Sequence, residues 1–364
     1  MTVEMIWKKI PISESEVCLS RVLRCGQTFR WKNINNIWSF AIRDRIILLQ
    51  QDHENLYYSH ILRVDKRGTD KETFSFLNDY FTLDVKLEEL YNSWKQSHSK
   101  YITVKQAEAA SPFDLFTGIR ILRQDPWECL ISFICSSNNN VKRISKMCDN
   151  LCIHFGNFIN EHQGHKYYSF PTAEQLSKEG VESKLRDLGF GYRAKYIYQT
   201  AKKFTSAEFP DITIENLEKQ RDSLYEQAHE FLLQLSGVGP KVADCICLMA
   251  LDKWDVVPID THVYQIAIRD FKYKGKKDLK TLNKEMHQSI RSFFKNIFGE
   301  YAGWAQSVLF AADLSDLNNG TNIVEAKVEV DGELSRKRIE DKVDKVTVKT
   351  IKKVKLNSTI KVES

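Results

Sequence analysis

The stretch Leu235-Ser236-Gly237-Val238-Gly239-Pro240-Lys241, with Asp260 nineteen residues beyond the lysine, decides how the C-terminal half of this chain folds. Two glycines around Val238 make a tight turn. Neither carries a Cβ, so their backbone amides can approach a phosphate closely. Apolar residues flank the turn at helical spacing: Tyr225, Ala228, Phe231, Leu232 and Leu235 before it, Val242, Cys245, Ile246 and Met249 after it. The pattern predicts helix, glycine hairpin and helix, with Pro240 in the first turn of the second helix. Lys241 then stands at a helix N-terminus, where the macrodipole is expected to push its pKa down. A lysine so placed is either a phosphate ligand or a partly neutral amine able to act as a nucleophile.

Val256-Val257-Pro258-Ile259-Asp260-Thr261-His262 reads as an apolar approach to a further helix, which runs through Arg269 with Asp260 as its N-cap. A cap and a catalytic carboxylate are compatible roles for one aspartate.

Upstream the pattern changes. Thr28–Trp31, Trp38–Ile42, Arg45–Gln50 and Leu56–Leu62 read as short strands separated by Asn-rich or charged turns. Phe74–Phe81 and Val85–Trp94 have helical spacing, and everything from Arg120 onward reads as helical. Asp125-Pro126 is an N-cap and N1 pair, Thr172 with Gln175 has the capping-box form, and Gly156 is expected as an ordinary C-terminal glycine after Phe155. Strands first and helices after make an α+β protein. The expected division is an α+β domain over 1–118, a helical domain over 119–317 and a basic, disordered tail over 318–364. Lys345–Lys355, where valine or isoleucine alternates with lysine, is the one part of that tail with strand character.

A chain of 364 residues can bury a full core, and its net charge of +5 permits nucleic-acid binding without identifying it. No apolar run approaches the ~20 residues that span a bilayer. The eight cysteines lie largely in apolar helical runs, which predicts reduced, packed thiols in an intracellular protein. Cys148 and Cys152 share a stripe with Ile144, Leu151 and Phe155 on a helix over Val141–Phe155, so core packing is expected there rather than metal binding.

The block LSGVGPKVADCICLMALDKWDVVPIDTHV (235–263) resembles the helix-hairpin-helix, Gly/Pro-rich loop and aspartate signature of the DNA glycosylase superfamily. GQTFRW (26–31), RILRQDPWECLISFICSSNNN (120–140), LGFGYRAKY (188–196) and YAGWAQSVLF (301–310) narrow it to a resemblance to eukaryotic 8-oxoguanine DNA glycosylase/lyases, over roughly residues 10 to 315. The resemblance implies an N-terminal antiparallel, TATA-binding-protein-like β domain followed by an all-helical helix-hairpin-helix domain. It implies a bifunctional enzyme that flips 8-oxoguanine, or ring-opened formamidopyrimidine guanine, out of double-stranded DNA opposite cytosine and excises it. Lys241 would attack C1′ and form a Schiff base, Asp260 would stabilise the developing sugar cation, and β-elimination would follow.

For lesion reading the resemblance assigns Gly26 a carbonyl that accepts from N7–H, Cys245 and Phe310 a sandwich of the flipped ring, and Gln306 the Watson–Crick edge. Met249 is a further pocket candidate. Asn138, Arg143 and Arg193 would read the orphaned cytosine while Tyr192 wedges into the stack. Gly237, Val238 and Gly239 would hold one phosphate, with a monovalent or divalent cation at the hairpin, and His262 would lie near the 5′ phosphate. Some superfamily members carry a four-cysteine iron–sulfur cluster after the aspartate. No cysteine follows Cys247 here, so no such cofactor is expected. The implied protein is a monomer in the nucleus, with the mitochondrion left open. A related glycosylase for another lesion and a noncatalytic helix-hairpin-helix DNA-binding protein are the competing readings. Gly26 with Gln306 and Phe310 argues against the first, and retention of Lys241 and Asp260 against the second.

Overall fold

Ile46-Ile47-Leu48-Leu49 is continuously apolar, so a strand there must bury both of its faces. The computed structural model, which describes residues 5–101, 111–275 and 283–314, places these residues in the middle of a five-stranded antiparallel sheet. Its strands are β1 (Lys8–Pro11), β2 (Lys32–Ile34), β3 (Ile37–Ile42), β4 (Arg45–Gln51) and β5 (Asn55–Leu62), in the order β1-β5-β4-β3-β2. Trp38 pairs with Leu49 and Phe40 with Ile47, while Leu49 pairs with Tyr58 on the other side. Because side chains alternate, Ile47 and Leu49 point to one face and Ile46 and Leu48 to the other.

The first face packs on helix α1 (Asp70–Tyr80) through Leu77 and Tyr80. The second packs on Ile159 and Tyr167 of a hairpin formed by β6 (Phe158–His162) and β7 (His165–Tyr168). That hairpin corrects the all-helical reading after Arg120. Its turn, Gln163-Gly164, has positive φ at both residues, as a tight two-residue hairpin needs.

The larger core lies among helices α2 (Leu87–Ser99), α3 (Pro126–Ser136), α4 (Val141–Phe155), α5 (Arg193–Thr205), α6 (Tyr225–Leu233), α7 (Pro240–Ala250), α8 (Thr261–Phe271), α9 (Lys284–Phe298) and α10 (Ala302–Asp313). Asp125 caps α3 by accepting from Glu128 N, and Thr172 and Gln175 form the expected capping box. Cys148 and Cys152 are buried, as their place on the apolar stripe of α4 requires. Helix α4 does end at Gly156, but with extended backbone (φ −83°, ψ 167°) rather than a left-handed cap. Glycine is needed there for approach, since a Cβ would lie 2.0 Å from Ser169 O.

Thr28–Trp31 is not a strand. Its side chains instead join the sheet to the helices. Arg30 pairs with Glu128 of α3 at 2.6 Å and donates to the carbonyls of Ala41 at 2.9 Å and Tyr168 at 3.1 Å. Arg120 is buried, and its guanidinium donates to Phe81 O and Thr82 O at 2.7 Å and to Val85 O at 2.9 Å. The readings for the tail, including Lys345–Lys355, lie outside the described residues.

Candidate active site

The hairpin joins α6 to α7 as its sequence requires, and Pro240 opens the second helix. Gly237 has φ +82° and lies against Tyr196 of α5, where a Cβ would come within 2.8 Å of the ring. Gly239 has no heavy atom within 4 Å of the corresponding position, so this side of the turn is open. Helix α5 holds the turn from beneath. Thr200 Oγ1 donates to Ser236 O at 2.9 Å, and Lys203 Nζ donates to Gln234 O at 2.5 Å. Tyr196 was not anticipated as part of this platform. Its signal was its place in an exposed-looking helix one turn after Tyr192.

Asp260 caps α8 with one oxygen: Oδ1 accepts from His262 N at 3.0 Å and Val263 N at 2.9 Å. The other oxygen, Oδ2, faces Lys241 Nζ at 4.0 Å. The two residues come from different helices and are about one-third exposed. The cap fixes the carboxylate's rotamer, so the second oxygen keeps its aim without help from the lysine. The expectation of a lowered lysine pKa is corrected. Cys245, one turn along α7, together with Asp260 holds Lys241 above the ordinary lysine range, against the cost of desolvating its charge. Burial pushes the Cys245 thiol itself up to about 11. These local partners outweigh a helix dipole that acts only over the first turn.

Gly26 has φ +85° and lies against Phe310 of α10 and Val141 of α4. A Cβ there would sit 3.5 Å from Phe310 Cε1 and 4.0 Å from Val141 Cγ2. Phe310 projects from α10, one turn after the buried Gln306. Buried amides hold the glycine loop: Gln27 Nε2 donates to Arg120 O at 2.9 Å, Gln27 Oε1 accepts from Leu122 N at 2.9 Å, and Gln124 Nε2 donates to Gln27 O at 2.8 Å. Gln27 and Gln124 therefore set where the Gly26 carbonyl stands. Glutamines beside large apolar side chains at 26–31 and 120–124 were the available clue. Cys245 and Met249 are buried on α7, one turn apart. His262 packs edge-on to Phe310 with ring centroids 5.5 Å apart, and its Nε2 lies 3.0 Å from Asp313 Oδ2.

The second group gathers around the turn after α3. Asn138 is exposed with φ +49°. Tyr192, half-exposed, donates its hydroxyl to Ser137 O at 3.0 Å. Arg193 is buried under the Tyr192 ring, 4.5 Å from its centroid, and donates to the carbonyls of Ser137 and Asn138. Arg143 is exposed and donates to Gly189 O at 3.3 Å. So all four candidates converge, yet three of them satisfy the protein's own carbonyls. Among the described residues no group of three or more His, Cys, Asp or Glu is arranged to hold a metal ion.

Residues 9–130 match the model of the 8-oxoguanine DNA glycosylase N-terminal domain, and residues 131–292 match that of the HhH-GPD superfamily of base excision DNA repair proteins. The chain is 40% identical to an N-glycosylase/DNA lyase of Saccharomyces cerevisiae, over 86% of this chain and 88% of that protein. It is 35% identical to the N-glycosylase/DNA lyase OGG1 of Arabidopsis thaliana, over 85% and 80%. A solved structure of Clostridium acetobutylicum 8-oxoguanine glycosylase/lyase, bound to double-stranded DNA with cytosine opposite 8-oxoG, superposes with a TM-score of 0.67. It is 29% identical, over 81% of this chain and 91% of that one.

Proposed function

Since the chain belongs to the 8-oxoguanine DNA glycosylase/lyase family, and is an N-glycosylase/DNA lyase, we propose that it acts as a monomer on double-stranded DNA containing oxidised guanine. It removes 8-oxoguanine and ring-opened formamidopyrimidine guanine opposite cytosine. The observation that carries this reading is the divided role of Asp260, with Oδ1 held by two amides and Oδ2 4.0 Å from the Lys241 amine.

The nucleotide is flipped, at a cost of a few kcal/mol. Lys241, once deprotonated, forms a bond to C1′ as the C1′–N9 bond breaks and its electron pair leaves with the base. The Asp260 carboxylate stabilises the positive charge that builds on the sugar. Ring opening gives the iminium, which acidifies the 2′ proton. Loss of that proton expels the 3′ phosphate and nicks the strand. The Gly26 carbonyl accepts from the N7–H that 8-oxoguanine has, and would face a lone pair on guanine. Cys245 and Phe310 take the ring between them, and Gln306 reads its Watson–Crick edge.

Borohydride trapping on duplexes carrying 8-oxoguanine opposite each of the four bases tests the reading. A covalent adduct strongest opposite cytosine is expected. Adduct formation on an alkylated purine in preference to 8-oxoguanine would overturn the substrate assignment.

A further inference from the structure

Helix α7 is apolar apart from Lys241 and Asp244, which lie three residues apart on one helical face. Asp244 is completely buried. Its carboxylate is held from two other helices: Tyr225 Oη of α6 donates to Oδ1 at 2.8 Å, and Arg291 Nη2 of α9 donates to Oδ2 at 2.5 Å. His229 Nε2 of α6 stands 3.5 Å from Oδ1, and the Arg291 guanidinium covers the Tyr225 ring at 4.9 Å. One turn further along α9, Lys295 pairs with Asp255, in the loop after α7, at 2.5 Å. Tyr225, His229, Lys241, His287 and Arg291 all line one groove behind the hairpin. Nothing in the chemistry above uses this pair, although a buried ion pair costs more desolvation than packing alone would demand.

We propose that the Asp244–Arg291 pair controls the charge behind the nucleophile: Asp244 holds the proton on Lys241, and Arg291 limits how firmly it is held. A buried charge one turn away acts through a poorly screened medium. The groups facing Lys241 are Cys245 and Asp244 on its own helix and Asp260 at the start of α8; the two carboxylates favour the ammonium, and Cys245 does so only where its thiol, raised to about 11, is ionised. Burial is the largest influence on Asp244 and leaves its carboxyl above the ordinary range, while Arg291 of α9 and Tyr225 and His229 of α6 face it and oppose that rise. His287 of α9 and Cys247 of α7 also feel its charge. The arrangement favours the protonated amine, so the free amine that adds to an aldehyde is the minority form. Lys241 is here taken as the nucleophile, so this inference rests on the proposed function.

The test is the rate of cyanoborohydride trapping on a duplex with a preformed abasic site, measured from pH 7 to 9. In this reaction the free amine adds to the C1′ aldehyde, water leaves, and hydride reduces the iminium. Below the lysine's pKa the rate follows the fraction of free amine. Asp244→Asn keeps hydrogen-bonding groups for Tyr225 and Arg291 but leaves the arginine uncompensated, so trapping should become roughly threefold faster at a given pH, equivalent to a shift of about half a unit. Arg291→Gln leaves the carboxylate uncompensated and should slow trapping roughly threefold. Arg291→Lys should restore the wild-type profile.

Loss of a merely structural contact would slow both variants. Shifts in one direction, or no shift, would therefore overturn the proposal. If Arg291→Gln does not fold, the folded Asp244→Asn protein decides alone, and an unchanged or slower rate refutes. Lys241→Gln in the same assay separates the two readings: surviving adducts there would remove the nucleophile itself.

Discussion

The residues proposed to read the lesion and those proposed to read the opposite strand are held differently. In the first group the anchoring bonds fall on atoms other than those proposed to work. Asp260 uses one oxygen for its cap and presents the other, and the Gly26 loop is tied down through the side chains of Gln27 and Gln124. In the second group the groups proposed to work are themselves occupied, with Tyr192 and Arg193 bound to Ser137 O and Arg143 to Gly189 O. The first is preorganised, which is what transition-state stabilisation rewards. The second holds its groups on the protein's own carbonyls; if they read the partner base as proposed, they exchange those partners on DNA, and that cost is one way to refuse the wrong base.

The strongest break in the preorganised side comes at Lys241. Lys241→Gln should abolish borohydride adducts and strand cleavage while specific binding to the lesion duplex survives. Undiminished adducts would assign the nucleophile elsewhere. Asp260→Asn is the next largest. The amide oxygen can still accept from His262 N and Val263 N, so the cap persists and melting should move by less than about 2 °C. The charge facing the amine is lost, and excision should fall about 10²–10³-fold, the range for losing one preorganised electrostatic group. Near-normal excision would mean that capping is its whole function.

What could be read from residues alone follows the same division. Local signals were legible because their chemistry is local: the hairpin with Pro240, the Asp260 cap, the capping box at Thr172 and the stripe carrying Cys148 and Cys152 all stand as expected. Pairings between distant segments were not. Lys8–Pro11 is a strand only because β5 is there to pair with it, and the hairpin at 158–168 is held by the outer face of β4. Arg30 and Arg120, inside what looked like a strand and a helix start, spend their charge on distant carbonyls. The rise in the Lys241 pKa needed the position of Asp260, nineteen residues away, as well as Cys245.

Gly26→Ala sharpens the comparison because two costs can be separated there. At φ +85° any side chain is strained, by roughly 1–2 kcal/mol. The added methyl would meet Phe310 at 3.5 Å, an ordinary contact, so the protein can accommodate it when the cleft is empty. With a purine seated against Phe310 the same methyl intrudes. Excision of 8-oxoguanine should drop well over tenfold, while an abasic analogue, which has no base, binds almost as before. Equal losses on both ligands would point to distortion of the loop, and full lesion activity would leave Gly26 as a turn and nothing more.

The smallest effects should separate the two arginines that the sequence treated alike. Arg193 is buried and ties down Ser137 and Asn138, so Arg193→Ala should cost about 2 kcal/mol of stability, the scale of a lost charge-assisted hydrogen bond, and should harm every substrate. Arg143 is exposed, and its guanidinium donates only a long 3.3 Å bond to Gly189 O among the described residues, so Arg143→Ala should leave melting unchanged. Its guanidinium fork suits the acceptor edge of cytosine, and its loss should narrow the preference for lesion–cytosine over lesion–adenine pairs several-fold. The decisive measurement is single-turnover excision opposite all four bases, alongside melting, for both variants. A uniform loss with Arg143→Ala would make it a phosphate contact, and would leave discrimination to Asn138 and Arg193. Selective loss in Arg143→Ala beside a general loss in Arg193→Ala would show that the opposite-strand side is itself divided. One arginine would then build the surface and the other would read from it.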